Sequence, residues 1–107
     1  MQTETKQTNS APCAWWAAQD ARMRNIANKS QWPQSMHLTV DRMKIALAHI
    51  YSGTVHEAYG KKRVSIKIDK PMIKHGNKGW LRELEKEWAF RGVTKTVTPQ
   101  GILYRVA

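Results

Sequence analysis

Residues 63–69 read RVSIKID, and the alternation in them decides how the rest of the chain is organised. Val64, Ile66 and Ile68 fall on one side of an extended backbone, with Arg63, Ser65, Lys67 and Asp69 on the other. That pattern specifies a half-buried strand with a basic solvent face, ended by Pro71. The surroundings amplify the charge. Between Lys61 and Lys78 stand Lys61, Lys62, Arg63, Lys67, Lys70, Lys74 and Lys78 against Asp69 alone, which is +6 of the chain's formal +10. A concentration of this kind points to a polyanionic partner, nucleic acid first.

Upstream of the strand, residues 1–12 hold little to bury and are read as a flexible tail, with residues 13–107 as a single domain. A helix is predicted over Ala14–Ala27, with Trp16, Met23, Ile26 and Ala27 on its buried face. Pro33 breaks it by forcing Trp32 out of the helical region. A second helix follows from Met36, Val40, Met43, Leu47 and Ile50, one continuous stripe at spacings of four and three. Thr39 is its expected cap, Asp41 falls in the expected first turn, and Gly53 ends it. Residues 54–60 fit either a short helical turn or the first arm of a hairpin.

Downstream, residues 72–79 read as a loop, and a third helix runs over Lys78–Phe90. Its buried stripe is Leu81, Leu84 and Trp88 with Trp80 beside it, Glu87 and Arg91 are four apart, and Gly92 stands at the C-terminal cap. The chain closes with a hairpin, Val93–Thr98 and Ile102–Val106, around Pro99, Gln100 and Gly101. The order helix-helix-strand-helix-strand-strand specifies a small α+β domain.

A helix, Gly92, a Thr- and Lys-bearing arm, a Pro-Gln-Gly turn and then Ile102 to Val106 resembles the end of a winged helix-turn-helix domain, over at most Met36–Ala107. The resemblance implies that residues 72–75 form a very short second helix. It also implies that the helix before the hairpin enters the major groove. Contacts would then come from Lys74, His75, Asn77 and Lys78, and from Lys95 and Gln100 on the wing. Glu83, Glu85 and Glu87 confine the positive surface to the near end of that helix. The residues themselves fit equally a strand-helix-strand-strand sheet with two helices packed on it.

The sequence pI of 10.1 suits nucleic acid, an anionic membrane surface or an acidic protein. Among the five tryptophans, Trp16, Trp80 and Trp88 lie on apolar stripes and are read as core. Trp15 and Trp32 are the candidates for stacking on bases or for contacting a protein. Cys13 is single, which excludes an intrachain disulfide and a zinc site built on several thiolates. No run is long and apolar enough for a transmembrane helix, and residues 1–10 lack the order of a secretory signal, so a cytoplasmic location is expected. The histidines lack metal-ligand spacing and the carboxylates outside the third helix are not paired, so no catalysis, metal or cofactor is expected.

The expectation is a small basic non-enzymatic protein that binds duplex DNA, a regulator or accessory protein of a phage or plasmid. Its contacts would come from Lys61, Lys62, Arg63, Lys67, Lys70, Lys74, His75, Asn77, Lys78, Lys95 and Gln100. The alternatives are an RNA-binding protein and a protein-binding inhibitor or adaptor acting on a nucleic-acid-processing partner.

Overall fold

The computed structural model describes the backbone of residues 10–107 and the side chains of residues 19–107. The elements follow as α1 (Ser10–Gln31), α2 (Gln34–Ile50), β1 (Val55–Tyr59), β2 (Val64–Asp69), α3 (Lys78–Phe90), β3 (Thr94–Thr98) and β4 (Gly101–Arg105). The four strands form one antiparallel sheet in the order β1-β2-β4-β3. Residues 54–60 therefore supply a hairpin arm, closed by the Gly60 N–H donating to the Arg63 carbonyl at 2.7 Å.

The alternation read in residues 63–69 holds: Val64, Ile66 and Ile68 are fully buried. With Tyr59, Ile102 and Tyr104 they form the sheet's side of the core, facing Val40, Met43, Leu47 and Ile50 of α2 and Leu81 and Trp88 of α3. The rings of Trp88 and Tyr104 meet edge to face at 5.7 Å. The Tyr104 hydroxyl donates to Glu85 at 2.6 Å, and burial followed by that bond raises its pKa. Gly101 lies where β4 closes on β2. Its φ is 153°, and a Cβ there would stand 2.1 Å from the Ile68 carbonyl oxygen.

Several local expectations are corrected. α2 begins at Gln34, because Pro33 at φ −67° already sets up its first turn, and the Pro33 carbonyl accepts from Met36 N–H. Thr39 is therefore inside the helix, its hydroxyl donating to the Ser35 carbonyl at 2.9 Å, and Asp41 lies beyond the first turn. In α3, Leu81 and Trp88 are buried and Leu84 is half-buried. Trp80 is 45% exposed, since it lies at the border of the stripe, about 100° round the helix from the buried Leu81. Gly92 takes φ 93° and Val93 N–H returns to the Trp88 carbonyl at 2.9 Å, as the sequence indicated for the helix end.

The winged helix-turn-helix topology is not confirmed. Residues 72–75 contain no helix. The link from β2 to α3 runs beside the end of α2, with Ser52 N–H donating to Met72, Lys74 N–H to Ile50, and Ile73 bridging Tyr51. Pro71 and Gly76 leave little room for a helix, and these bonds occupy the backbone instead.

The docking of α1 differs most from expectation. The helix starts at Ser10 rather than Ala14 and continues past Ala27 to Gln31. Met23 and Ile26 are 65% and 62% exposed, and Ala27 is exposed as well. The side inward is polar. Asn25 accepts from Tyr59 N–H at 2.6 Å, Asn28 donates to the Tyr59 carbonyl at 3.0 Å, and the Trp32 indole donates to the Gly60 carbonyl at 2.7 Å. Lys29 reaches Glu57 at 3.1 Å. Positions 25, 28, 29 and 32 share one helical face, and that face grips the outer edge of β1. An edge strand presents unpaired N–H and C=O groups, so its best partner is a row of hydrogen-bonding side chains rather than an apolar stripe.

Candidate nucleic-acid interface

With α2 and α3 on one face of the sheet and α1 along its edge, the opposite face is left open. The register writes that face in rows. Ala58, Ser65, Arg105 and Thr94 form one; His56, Lys67, Leu103 and Thr96 the next; Asp69, Gly101 and Thr98 the third. Arg63 has the parity of Ser65 and Lys67 and enters the face from the β1–β2 turn. None of these residues is a Trp, Tyr or Phe, and the face offers hydroxyls, cations and the His56 imidazole.

The strand also separates the charges that stood together in the sequence. Six residues of β2 span roughly 20 Å at about 3.3 Å each. Lys61, Lys62 and Arg63 lie exposed at one end, in the β1–β2 turn. Lys70, Lys74, His75 and Lys78 lie at the other. Lys70 sits at φ 47°, a left-handed conformation that costs a non-glycine residue about 1 kcal/mol. Lys74 donates to the Ala48 carbonyl at 3.3 Å and Asn77 to the His49 carbonyl at 3.2 Å. These two side chains thus serve the C-terminus of α2, where unpaired carbonyls accumulate. His75 and Lys78 stay exposed around a shallow depression that also takes in Ile73, Gly76 and Gly79.

The two wing residues part company. Gln100 is exposed in the β3–β4 turn, whereas Lys95 points to the helix side and pairs with Glu85 at 2.7 Å. Trp32 is half-buried with its indole N–H engaged, and the Trp15 side chain lies outside the described residues.

Two arginines that the linear reading passed over join the turn. Arg24 on α1 lines a depression of about 360 Å³ with Arg63, Ser65, Ala58 and the α1 asparagines. Arg105 stands opposite Ser65 and Thr94 across β4. Arg105 was readable from the alternation of β4, once Ile102 and Tyr104 are placed inward. Arg24 had no sequence signal, because its position follows from how α1 meets the sheet edge.

Five acids are paired, four of them away from the open face. Glu57 pairs with Lys29 and with Lys44 at 2.8 Å. Burial raises its pKa, but the bonds and charges of Lys44 and Lys29 outweigh this and leave it lowered. Glu83 pairs with Lys86, Glu85 with Lys95, and Glu87 with Arg91. On the open face Asp69 pairs with His56 at 2.8 Å and with Lys67 at 3.5 Å. Its pKa is lowered, the His56 bond and the Lys67 charge prevailing over desolvation. Among the described residues, Arg22, Arg24, Arg42, Lys61, Lys62, Arg63, Lys70, Lys74, Lys78, Arg82 and Arg105 have no carboxylate within salt-bridge distance; Asp20 lies a turn before Arg24 in sequence. No group of three or more His, Cys, Asp or Glu side chains comes together for a metal, again among the described residues.

The fold and this surface define a small basic α+β domain with, among the described residues, three helices and a four-stranded antiparallel sheet whose open face is cationic. No helix among the described residues is long and apolar enough to cross a membrane. Comparison with protein-family models, with curated proteins and with solved structures found no match.

Proposed function

We propose that the protein is a small non-enzymatic nucleic-acid-binding protein that engages duplex DNA, a regulator or accessory factor of the phage or plasmid kind. One observation carries the reading. Five of its carboxylates are bound by lysines and arginines on the helices, on the helix-covered side or in the third row of the open face. Lys61, Lys62, Arg63, Arg24 and Arg105 are left as a cationic surface around one end of the open face. Such a surface neutralises phosphates and releases counterions, which gives affinity without sequence preference.

The test is binding to a random duplex across a salt series, for the protein and for Lys61→Ala/Lys62→Ala/Arg63→Ala. The triple variant is expected to lose at least tenfold in affinity, with the slope of log K against log salt falling by about 2 to 3. An unchanged slope would remove the turn from the interface. Competition with single-stranded DNA and RNA decides the nucleic-acid type.

A second reading, a protein-binding adaptor or inhibitor, rests on Met23 and Ile26, exposed one turn apart on α1, and on Phe90, 94% exposed at the end of α3. One stoichiometric protein partner, lost on Met23→Gln/Ile26→Gln, would select it.

A further inference from the structure

We infer that sequence is read by the open face of the β3–β4 ribbon, lying in the DNA major groove, rather than by α3. The inference rests on the duplex-binding reading above. α3 is poorly suited to the groove: Glu83 and Glu87 are exposed on it, and its N-terminal neighbours Lys74 and Asn77 are occupied with α2. The ribbon has the opposite character. Thr94 and Thr96 on β3 and Leu103 and Arg105 on β4 share one face, flanked by Thr98, bonded to Gly101, and by Lys67 on β2, paired with Asp69.

Those side-chain types match what the groove displays. Arginine pairs with the O6 and N7 of guanine, threonine bonds to either base of a pair, and an apolar group meets the thymine methyl. A two-stranded antiparallel ribbon is also an element that the major groove admits.

The phosphate contacts fall at a suitable distance. β2 and β1 follow β4 in the sheet, so at about 4.8 Å per strand the depression lined by Ser65, Ala58, Arg63 and Arg24 begins beside β4 and reaches past β1, roughly 10 Å away, to α1. The major groove is about 12 Å wide, so a ribbon seated in it brings that depression to the flanking backbone. The arginine on α1 would thereby fix the ribbon's register, and Arg105 would read a base. The described open face carries no Trp, Tyr or Phe, and its His56 imidazole is held by Asp69 at 2.8 Å, which argues against base stacking and hence against a single-stranded occupant.

The experiment is selection from a library of randomised 25-base-pair duplexes by the full chain, followed by titration of the selected duplex and of a random one. Arg105→Ala/Thr96→Ala is expected to weaken the selected duplex at least tenfold more than the random one, whose smaller loss reports the removed charge of Arg105. Arg105→Lys keeps the charge and loses the planar fork, so it should retain binding and relax the preference. Both positions border solvent, and thermal melting of each variant checks the fold. Replacing guanine by 7-deazaguanine in the selected duplex should reproduce the Arg105→Lys loss. If duplexes bind but no preferred sequence emerges, or if the preference survives in Arg105→Ala/Thr96→Ala, the ribbon is not the reader and the duplex-binding proposal stands. If RNA, single strands or a protein outcompete every duplex, both proposals fall together.

Discussion

The first two helices are held to the same strand in opposite ways. α2 presents Val40, Met43, Leu47 and Ile50 to the core and leaves its polar residues outside. α1 and the Trp32 that follows it present Asn25, Asn28, Lys29 and the indole to the edge of β1, and Met23 and Ile26 are left in solvent. The difference follows from what each helix meets. The face of a sheet is a surface of side chains and rewards apolar area; its edge is a row of backbone donors and acceptors and rewards polar groups at the right spacing. It matters for function as well. A helix docked on the edge keeps the open face free and walls one side of it, and that wall carries Arg24 beside Arg63.

The comparison is broken most forcefully by truncating each helix's contact. Leu47 is fully buried, so Leu47→Ala should cost roughly 2–5 kcal/mol and lower the unfolding temperature of the whole domain. Asn25→Ala/Asn28→Ala should cost roughly 1–3 kcal/mol, by leaving the Tyr59 N–H and C=O without partners. Its signature is local. Amide exchange should quicken in α1 and at Tyr59 while β2 and β4 keep their protection. Equal acceleration through the central strands would show that α1 is part of the cooperative core after all.

How much of this was legible in the sequence depends on the same distinction. α2, β2, α3 and β4 were readable because each turns a regular apolar pattern toward one core, whereas β3, exposed along most of its length, was readable from its β-branched residues and the Pro-Gln-Gly turn after it. The hairpin arm 55–59 was ambiguous because Val55, Glu57 and Tyr59 face inward with a carboxylate among them. Glu57 is tolerated there only through Lys29 and Lys44, which come from two other elements. α1 was misread because periodicity assumes that apolar residues mark the docked side, and an edge inverts that rule. The charge cluster was legible in composition but not in shape. β2 spreads it along one strand, Lys74 is diverted to the end of α2, and Arg24 and Arg105 come from distant positions.

Acid should act on the α1 dock with a smaller effect. The Glu57 pKa is lowered from its ordinary 4.5 in the folded protein, so the pair network contributes fully above pH 4.5 and is lost as pH falls through the folded value. The lysines and the carboxylate are each partly exposed, so Glu57→Gln should cost about 1 kcal/mol at neutral pH. In an acid titration the Trp32 indole N–H resonance, which reports the bond to Gly60, should shift before the core unfolds, and Glu57→Gln should abolish that early step. A Trp32 transition coincident with global unfolding would assign the helix to the same cooperative unit as β2.

The smallest effect discriminates best between a polar and an apolar dock. Met23 and Ile26 would be core residues if hydrophobic spacing governed α1, and replacing both would then approach the penalty of Leu47→Ala. Exposed as they are, Met23→Gln/Ile26→Gln removes little buried area, and glutamine is at least as good a helix former as isoleucine. The unfolding free energy should therefore stay within about 0.5 kcal/mol of the parent. A loss near 2 kcal/mol in dilute solution would mean that these side chains are covered by something the monomer lacks. A second copy of the chain is one such cover, and sedimentation of parent and variant would separate that case from an apolar dock within one chain. A shift from dimer to monomer on substitution would mark the outer stripe as an interface, whereas a loss in a protein that stays monomeric would return it to the core.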